Sequence, residues 1–148
     1  MTPTDRPNSI LRIFIRATPE AVWDALTNGA VTPSYYRGMR VESDWQAGSA
    51  YRYLGPNGQA VLEGEVLEAE APRRLRTTFV PNFAPGMSPL VLAYELEPLG
   101  AVTKLTMTYE GLDDRTRLGQ GLVDGGAQIL SGLKTWLETG EPLNIPFH

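Results

Sequence analysis

The chain has 148 residues, a formal net charge of −4, no cysteine and one histidine, His148. With no thiol and one terminal imidazole, disulfides, thiolate zinc sites, iron–sulfur clusters, cysteine nucleophiles and a buried Ser-His-Asp arrangement drop out, and a mildly acidic chain is a poor nucleic-acid binder. A chain of this length has the size of one domain and buries enough surface for a core without staples.

Residues 1–9, MTPTDRPNS, lack the basic start and apolar stretch of a secretory signal. No apolar run approaches the ~20 residues of a membrane span, so the expected location is cytoplasmic, with no membrane partner. In SILRIFIR (9–16), Leu11, Ile13 and Ile15 alternate with Arg12, Phe14 and Arg16, as in a strand. Thr18-Pro19-Glu20 starts a helix, with Thr18 as N-cap, Pro19 in the first position and Glu20 at the positive end. Val22, Trp23 and Leu26 carry it to about residue 27, and Asn28-Gly29 stops it. A second short helix or turn is expected over about 31–37, with Tyr35 and Tyr36.

Period-two patterning then runs for about seventy residues. Met39 and Val41, then Tyr51 and Tyr53, alternate with charged residues, and Gly55-Pro56-Asn57-Gly58 signals a tight hairpin. A strand from Val61 to Glu68 ends at Ala71-Pro72-Arg73. Leu75, Thr77 and Phe79 share a face, as do Leu90, Leu92, Tyr94 and Leu96, and then Thr103, Leu105, Met107 and Tyr109. Pro81 to Pro89 is expected to be an irregular loop. A helical pattern from about 116 to 139 carries Leu118, Leu122, Ile129, Leu133, Trp136 and Leu137 as its stripe, and Gly140 as its stop. Its interior holds Gly119, Gly121, Gly125, Gly126 and Gly132, each costing about 1 kcal/mol relative to alanine, so either the helix begins late, near 123, or glycine makes room for something.

The expected class is therefore α+β. About seven antiparallel strands, in the order strand, two short helices, six strands and a helix, wrap on the last helix and leave a cavity. Residues 1–148 form a single domain with a core of about 9–140 and irregular tails, 1–8 and 141–148. The apolar tail residues Leu143, Ile145 and Phe147 dock on their own domain or on a second subunit.

Several segments carry a resemblance: TPEAVWDALT (18–27), SYYRGMRVESDWQAGS (34–49), GEVLEAEAPRRL (64–75), YELEPLGAVTKLTMTYEGLD (94–113) and ILSGLKTWLETGEPL (129–143). Together they resemble the family of homologues of the activator of the heat-shock protein 90 ATPase. That family lies within the START-like, pollen-allergen-like helix-grip (SRPBCC) superfamily, and the resemblance spans roughly 10–143. It implies a helix-grip fold whose relatives bind lipids, hormones and polyketides in the cavity, some catalysing cyclisations there. Eukaryotic co-chaperones of the family join this module to a separate chaperone-binding domain, for which a chain filled by one module has no room. Two positions depart from the family pattern. Gly126 stands where members often have a tryptophan, and Tyr109 where members often have a histidine. The departures imply a cavity reaching toward Gly125 and Gly126, with Tyr109 offering a hydroxyl.

The candidate cavity lining is Tyr35, Tyr36, Tyr51, Tyr53, Phe79, Leu92, Tyr94, Met107, Tyr109, Leu122, Gly126 and Ile129. Each is either ordinary core or ligand contact; Tyr35 and Tyr36 are a packed lid or a gate. Glu63, Glu65, Glu68 and Glu70 with Arg73, Arg74 and Arg76 read as a solvated hairpin face paired across strands, and Asp113-Asp114-Arg115 as a surface loop. No catalytic residue, metal ligand or cofactor is expected. The leading expectation is binding of a small hydrophobic or aromatic ligand by a monomer or homodimer. The alternatives are a cyclase- or hydratase-like enzyme in the same cavity, or a chaperone regulator.

Overall fold

The computed structural model describes residues 8–81, 90–113 and 115–145. The period-two segments form seven strands: β1 (Asn8–Ile15), β2 (Arg40–Ser43), β3 (Ala50–Leu54), β4 (Ala60–Glu70), β5 (Arg74–Pro81), β6 (Leu90–Leu99) and β7 (Val102–Glu110). They make one antiparallel sheet in the order β1-β7-β6-β5-β4-β3-β2. Strands β2 to β7 are a meander, and β1 closes it by pairing with β7. The register sets Leu92 beside Tyr109, Tyr94 beside Met107 and Leu96 beside Leu105. All six are buried. Glu95 and Glu97, between them in sequence, are exposed on the other face. This is the alternation of a half-buried antiparallel sheet. On the outer face Glu68 meets Arg74 at 3.4 Å and Arg76 at 3.1 Å, and Arg76 reaches Glu110 at 3.1 Å. Within the acid–base constellation of β4 and β5, Glu68, Arg74 and Arg76 are thus joined in cross-strand pairs.

Helices α1 (Pro19–Thr27) and α2 (Arg117–Thr139) cover the inner face. Each starts on a threonine cap: Thr18 accepts from the Ala21 N–H and Thr116 from the Gly119 N–H. Gly140 ends α2 in the left-handed conformation, φ 76°. One expectation takes the shorter of its two forms and a second is corrected. The short helix or turn expected over about 31–37 is a 3-10 turn, Thr32–Ser34. Arg37 and Gly38 follow with φ of 53° and 76°, and left-handed backbone cannot continue a helix. The stripe of α2 centres on Leu122, Gly126, Leu130 and Leu133. Leu130 is wholly buried, whereas Leu118 keeps the phase of the stripe but is 40% exposed.

No helix among the described residues is long and apolar enough to cross a membrane.

A polar clamp ties the C-terminal end of α2 to the end of β1. Lys134 Nζ donates to the Phe14 carbonyl at 2.6 Å and to Glu138 at 2.7 Å, and the Arg16 N–H donates to the same carboxylate oxygen at 2.8 Å. Lys134 first, then the Arg16 N–H, hold Glu138 below the usual carboxylate range. A depressed pKa stabilises the fold above the unfolded carboxyl's pKa, and that contribution is lost as pH falls through the folded value. Glu138→Gln is expected to cost about 1 kcal/mol at neutral pH, and progressively less as pH falls through the folded-state pKa, where the wild-type carboxyl takes up its proton too. Urea unfolding followed from neutral pH down through the acid range measures the difference.

Candidate functional site

The N-terminal half of α2 is short of side chains, because Gly119, Gly121, Gly125 and Gly126 all fall there. A helix so bare cannot fill the space above a sheet, and a pocket of about 310 Å³ lies beneath it. That volume is at the small end of the range for ligand pockets, roughly 300–1,000 Å³. Its floor is buried Leu62 of β4, Phe79 of β5 and Tyr109 of β7, and its roof is Leu122, Gly125, Gly126 and Ile129. Tyr36 and Met39 close one side. Val61, half-buried, lies at the edge, and the exposed residues Arg37, Arg117, Leu118 and Gly121 rim the mouth. Phe79 and Tyr109 meet edge to face, 5.6 Å between centroids.

At Gly126 the helix lies directly over side chains of β7. A methyl group there would come within 2.7 Å of Met107 Cε and 3.2 Å of the Tyr109 hydroxyl. Met107 and Tyr109 therefore take part of the room beneath Gly126, and the rest stays open as pocket. Gly125 serves a different neighbour, since a methyl group there would come within 3.1 Å of Arg37 Nη2. The Tyr109 hydroxyl makes no hydrogen bond among the described residues. Burial raises its pKa to about 12, against the opposing pull of the Arg37 charge.

The pocket thus brings together Tyr36, Phe79, Tyr109, Leu122, Gly126 and Ile129 from the candidate lining. The other candidates lie elsewhere. The Tyr35 hydroxyl donates to the Ala25 carbonyl, and its Cβ packs on the bare face of Gly132. Tyr51, Tyr53, Leu92 and Tyr94 surround a residual void of about 10 Å³, at the lower limit for a single water. Tyr36 stacks on Tyr53 at 4.2 Å, and the Tyr51 hydroxyl donates to the Thr78 carbonyl. This end of the inner face is closed by aromatic packing, and the end beneath the glycines is open. Met107 lies behind the pocket wall, against Gly126. A broader groove of about 690 Å³ runs between the 3-10 turn, Gln128, Gly132 and the tail Pro142–Ile145. The tail lies beside its own helix there, with Leu143 exposed and Ile145 half-buried; Phe147 falls outside the described residues.

All six tyrosines have a raised pKa, with burial as the largest cause. The unfolded chain loses phenolic protons near the ordinary value of 10, and the folded chain keeps them. Stability should therefore fall steeply as pH rises past about 10. Absorbance at 295 nm should show tyrosinate appearing together with unfolding, as followed by circular dichroism. Tyrosinate formed well before unfolding would contradict the closed aromatic packing.

Sequence reasoning missed Met39, Val61, Leu62, Leu118, Gly121 and the two arginines of the mouth as lining. One signal was present: Arg117 occupies the first position of α2, where acids are favoured and cations are not. Chemically the site offers apolar and aromatic walls, a phenol and guanidinium groups. Its described lining holds no carboxylate or imidazole to act as a base.

The family model described as Activator of Hsp90 ATPase homolog 1-like protein matches residues 16–138. No curated protein matches the chain. Among solved structures, the chain is similar to a protein from Cytophaga hutchinsonii, with 25% identity over 90% of this chain and 95% of that one, TM-score 0.73. It is similar to the Aha1 dimer from Colwellia psychrerythraea, with 21% identity over 90% and 98%, TM-score 0.76. It is also similar to PFC0360w, an HSP90 activator from Plasmodium falciparum, with 17% identity over 91% and 97%, TM-score 0.74. These likenesses agree with the helix-grip arrangement of sheet and helix.

Proposed function

We propose, from the premise that this chain belongs to the Activator of Hsp90 ATPase homolog 1-like family, that it binds a small, largely apolar molecule beneath the first half of α2. The proposal takes 1–148 as one START-like domain. The observation that carries it is the glycine-bare helix face over the 310 Å³ pocket. Gly121 has open space where a side chain would go, and Gly125 meets only the tip of Arg37. Alanine at either position would strengthen the helix by about 1 kcal/mol, so folding alone does not account for glycine there. Apolar burial would supply affinity at about 25 cal/mol per Å². Without a described base in the lining, binding is favoured over cyclase or hydratase chemistry.

The test is a fluorescence titration with N-phenyl-1-naphthylamine, a neutral apolar probe. Saturable one-site binding is expected in the wild type, with a loss of at least about tenfold in Gly125→Leu. Ile129→Trp, which fills the roof from a half-buried position, should act likewise, and far-UV circular dichroism verifies that both variants fold. Absence of saturable binding, or binding indifferent to both substitutions, would overturn the proposal. A chaperone-regulator role is the second reading, favoured by the family itself. It predicts that the purified chain raises the ATPase rate of an Hsp90, and an unchanged rate would dismiss it.

A further inference from the structure

The walls of the pocket are apolar, but its mouth is not. Arg37 reaches it from the turn before β2, and Arg117 from the first residue of α2. The chain as a whole is acidic, at −4, yet the described lining contains these two cations and no Asp or Glu. Within that described lining the formal charges are positive only, opposite in sign to the net charge of the chain.

Neither arginine is placed where the fold favours it. Arg37 has a φ of 53°, a left-handed conformation uncommon for a residue with a side chain, and such strain concentrates at functional sites. Gly125 is bare where Arg37 Nη2 lies, 3.1 Å from where a methyl group would sit. Arg117 stands at the positive end of a 23-residue helix whose first turn has no acid, whereas α1 places Glu20 there. A cation at that end opposes the helix dipole. It adds to a positive field that an external anion would neutralise. The Tyr109 hydroxyl, on the pocket floor and within the field of Arg37, supplies a neutral donor.

We infer that the ligand is an amphipathic organic anion, with an apolar body beneath α2 and a carboxylate or sulfonate held at the mouth between Arg37 and Arg117. The planar fork of a guanidinium matches such a group better than an ammonium does. This inference rests on the binding function proposed above and adds the chemical class of its ligand.

The test compares two probes with the same aromatic body, neutral N-phenyl-1-naphthylamine and anionic 8-anilinonaphthalene-1-sulfonate, on the full chain. The anion should bind about tenfold more tightly at low salt, and the advantage should shrink as ionic strength rises. In Arg37→Gln/Arg117→Gln the ratio of the two affinities should fall to about twofold or less, and Arg37→Lys/Arg117→Lys should restore part of it. Both pairs change exposed side chains, and circular dichroism verifies their fold. If both probes bind equally well and the glutamine pair leaves their ratio unchanged, the anion inference is overturned while the pocket reading stands. If neither probe binds, or neither Gly125→Leu nor Ile129→Trp weakens their binding, the pocket reading fails and the inference with it.

Discussion

Gly64→Ala should lower the unfolding free energy by about 3 kcal/mol, roughly 10 °C in melting temperature for a chain of this size. Gly64 lies in β4 opposite Tyr51 of β3. A methyl group there would sit 2.6 Å from the Thr78 carbonyl oxygen, 2.6 Å from Tyr51 Cε1 and 2.7 Å from Thr78 Oγ1. The first contact is backbone, so no rotamer change relieves it. The same three groups hold a local network: the Tyr51 hydroxyl donates to the Thr78 carbonyl, and Thr78 Oγ1 accepts from the Glu65 N–H. This network takes the place of ladder pairing just before the register shift of β4 on β5, and the absence of a Cβ lets the tyrosine ring lie across the strand. Pushing the strands apart would strain the network and loosen Phe79, the next residue along β5 and part of the pocket floor. Chemical denaturation of the purified variant measures the loss. A change under about 0.5 kcal/mol would show that β4 and β5 can separate freely there.

Leu130→Ala should be comparably damaging, at about 3 kcal/mol, and Ile129→Ala should cost much less. Leu130 is fully buried in the common core with Leu105 and Leu133. Removing its side chain leaves a cavity among rigid neighbours, and substitutions of this kind cost about 2–5 kcal/mol. Ile129, one residue earlier, is half-buried and already lines an open pocket. Shortening it mostly enlarges a space that exists, at a cost of about 1 kcal/mol. The pair therefore tests whether α2 has a packed side and an open side at adjacent residues. Equal losses from the two substitutions would mean that the pocket is closed in solution. The probe titration separates them further, because Ile129→Ala should change probe affinity and Leu130→Ala should act mainly through stability.

Much of the fold was legible in local pattern. The Thr18 start, the Gly140 stop, the GPNG hairpin and the alternation of Leu92, Tyr94 and Leu96 each follow from rules acting over a few residues. The resemblance added how these elements assemble. The site was less legible. Tyr53 and Tyr109 share a residue type and an inward-facing strand position, yet Tyr53 is stacked under Tyr36 and Tyr109 faces the pocket. Strand periodicity gives the face of a side chain and not what lies opposite.

By itself the sequence determined the element types, the inward face of each strand and the absence of thiol and, save for the terminal residue, imidazole chemistry. It also concentrated glycine in the first half of α2. These are properties of composition and short-range backbone geometry. Only the tertiary structure decided that the aromatic end of the inner face is filled while the glycine end is open. Only the tertiary structure brought Arg37 and Arg117, eighty positions apart in the chain, to one mouth. Packing density and the meeting of distant charges depend on how the helix lies on the sheet, and no local spacing encodes that.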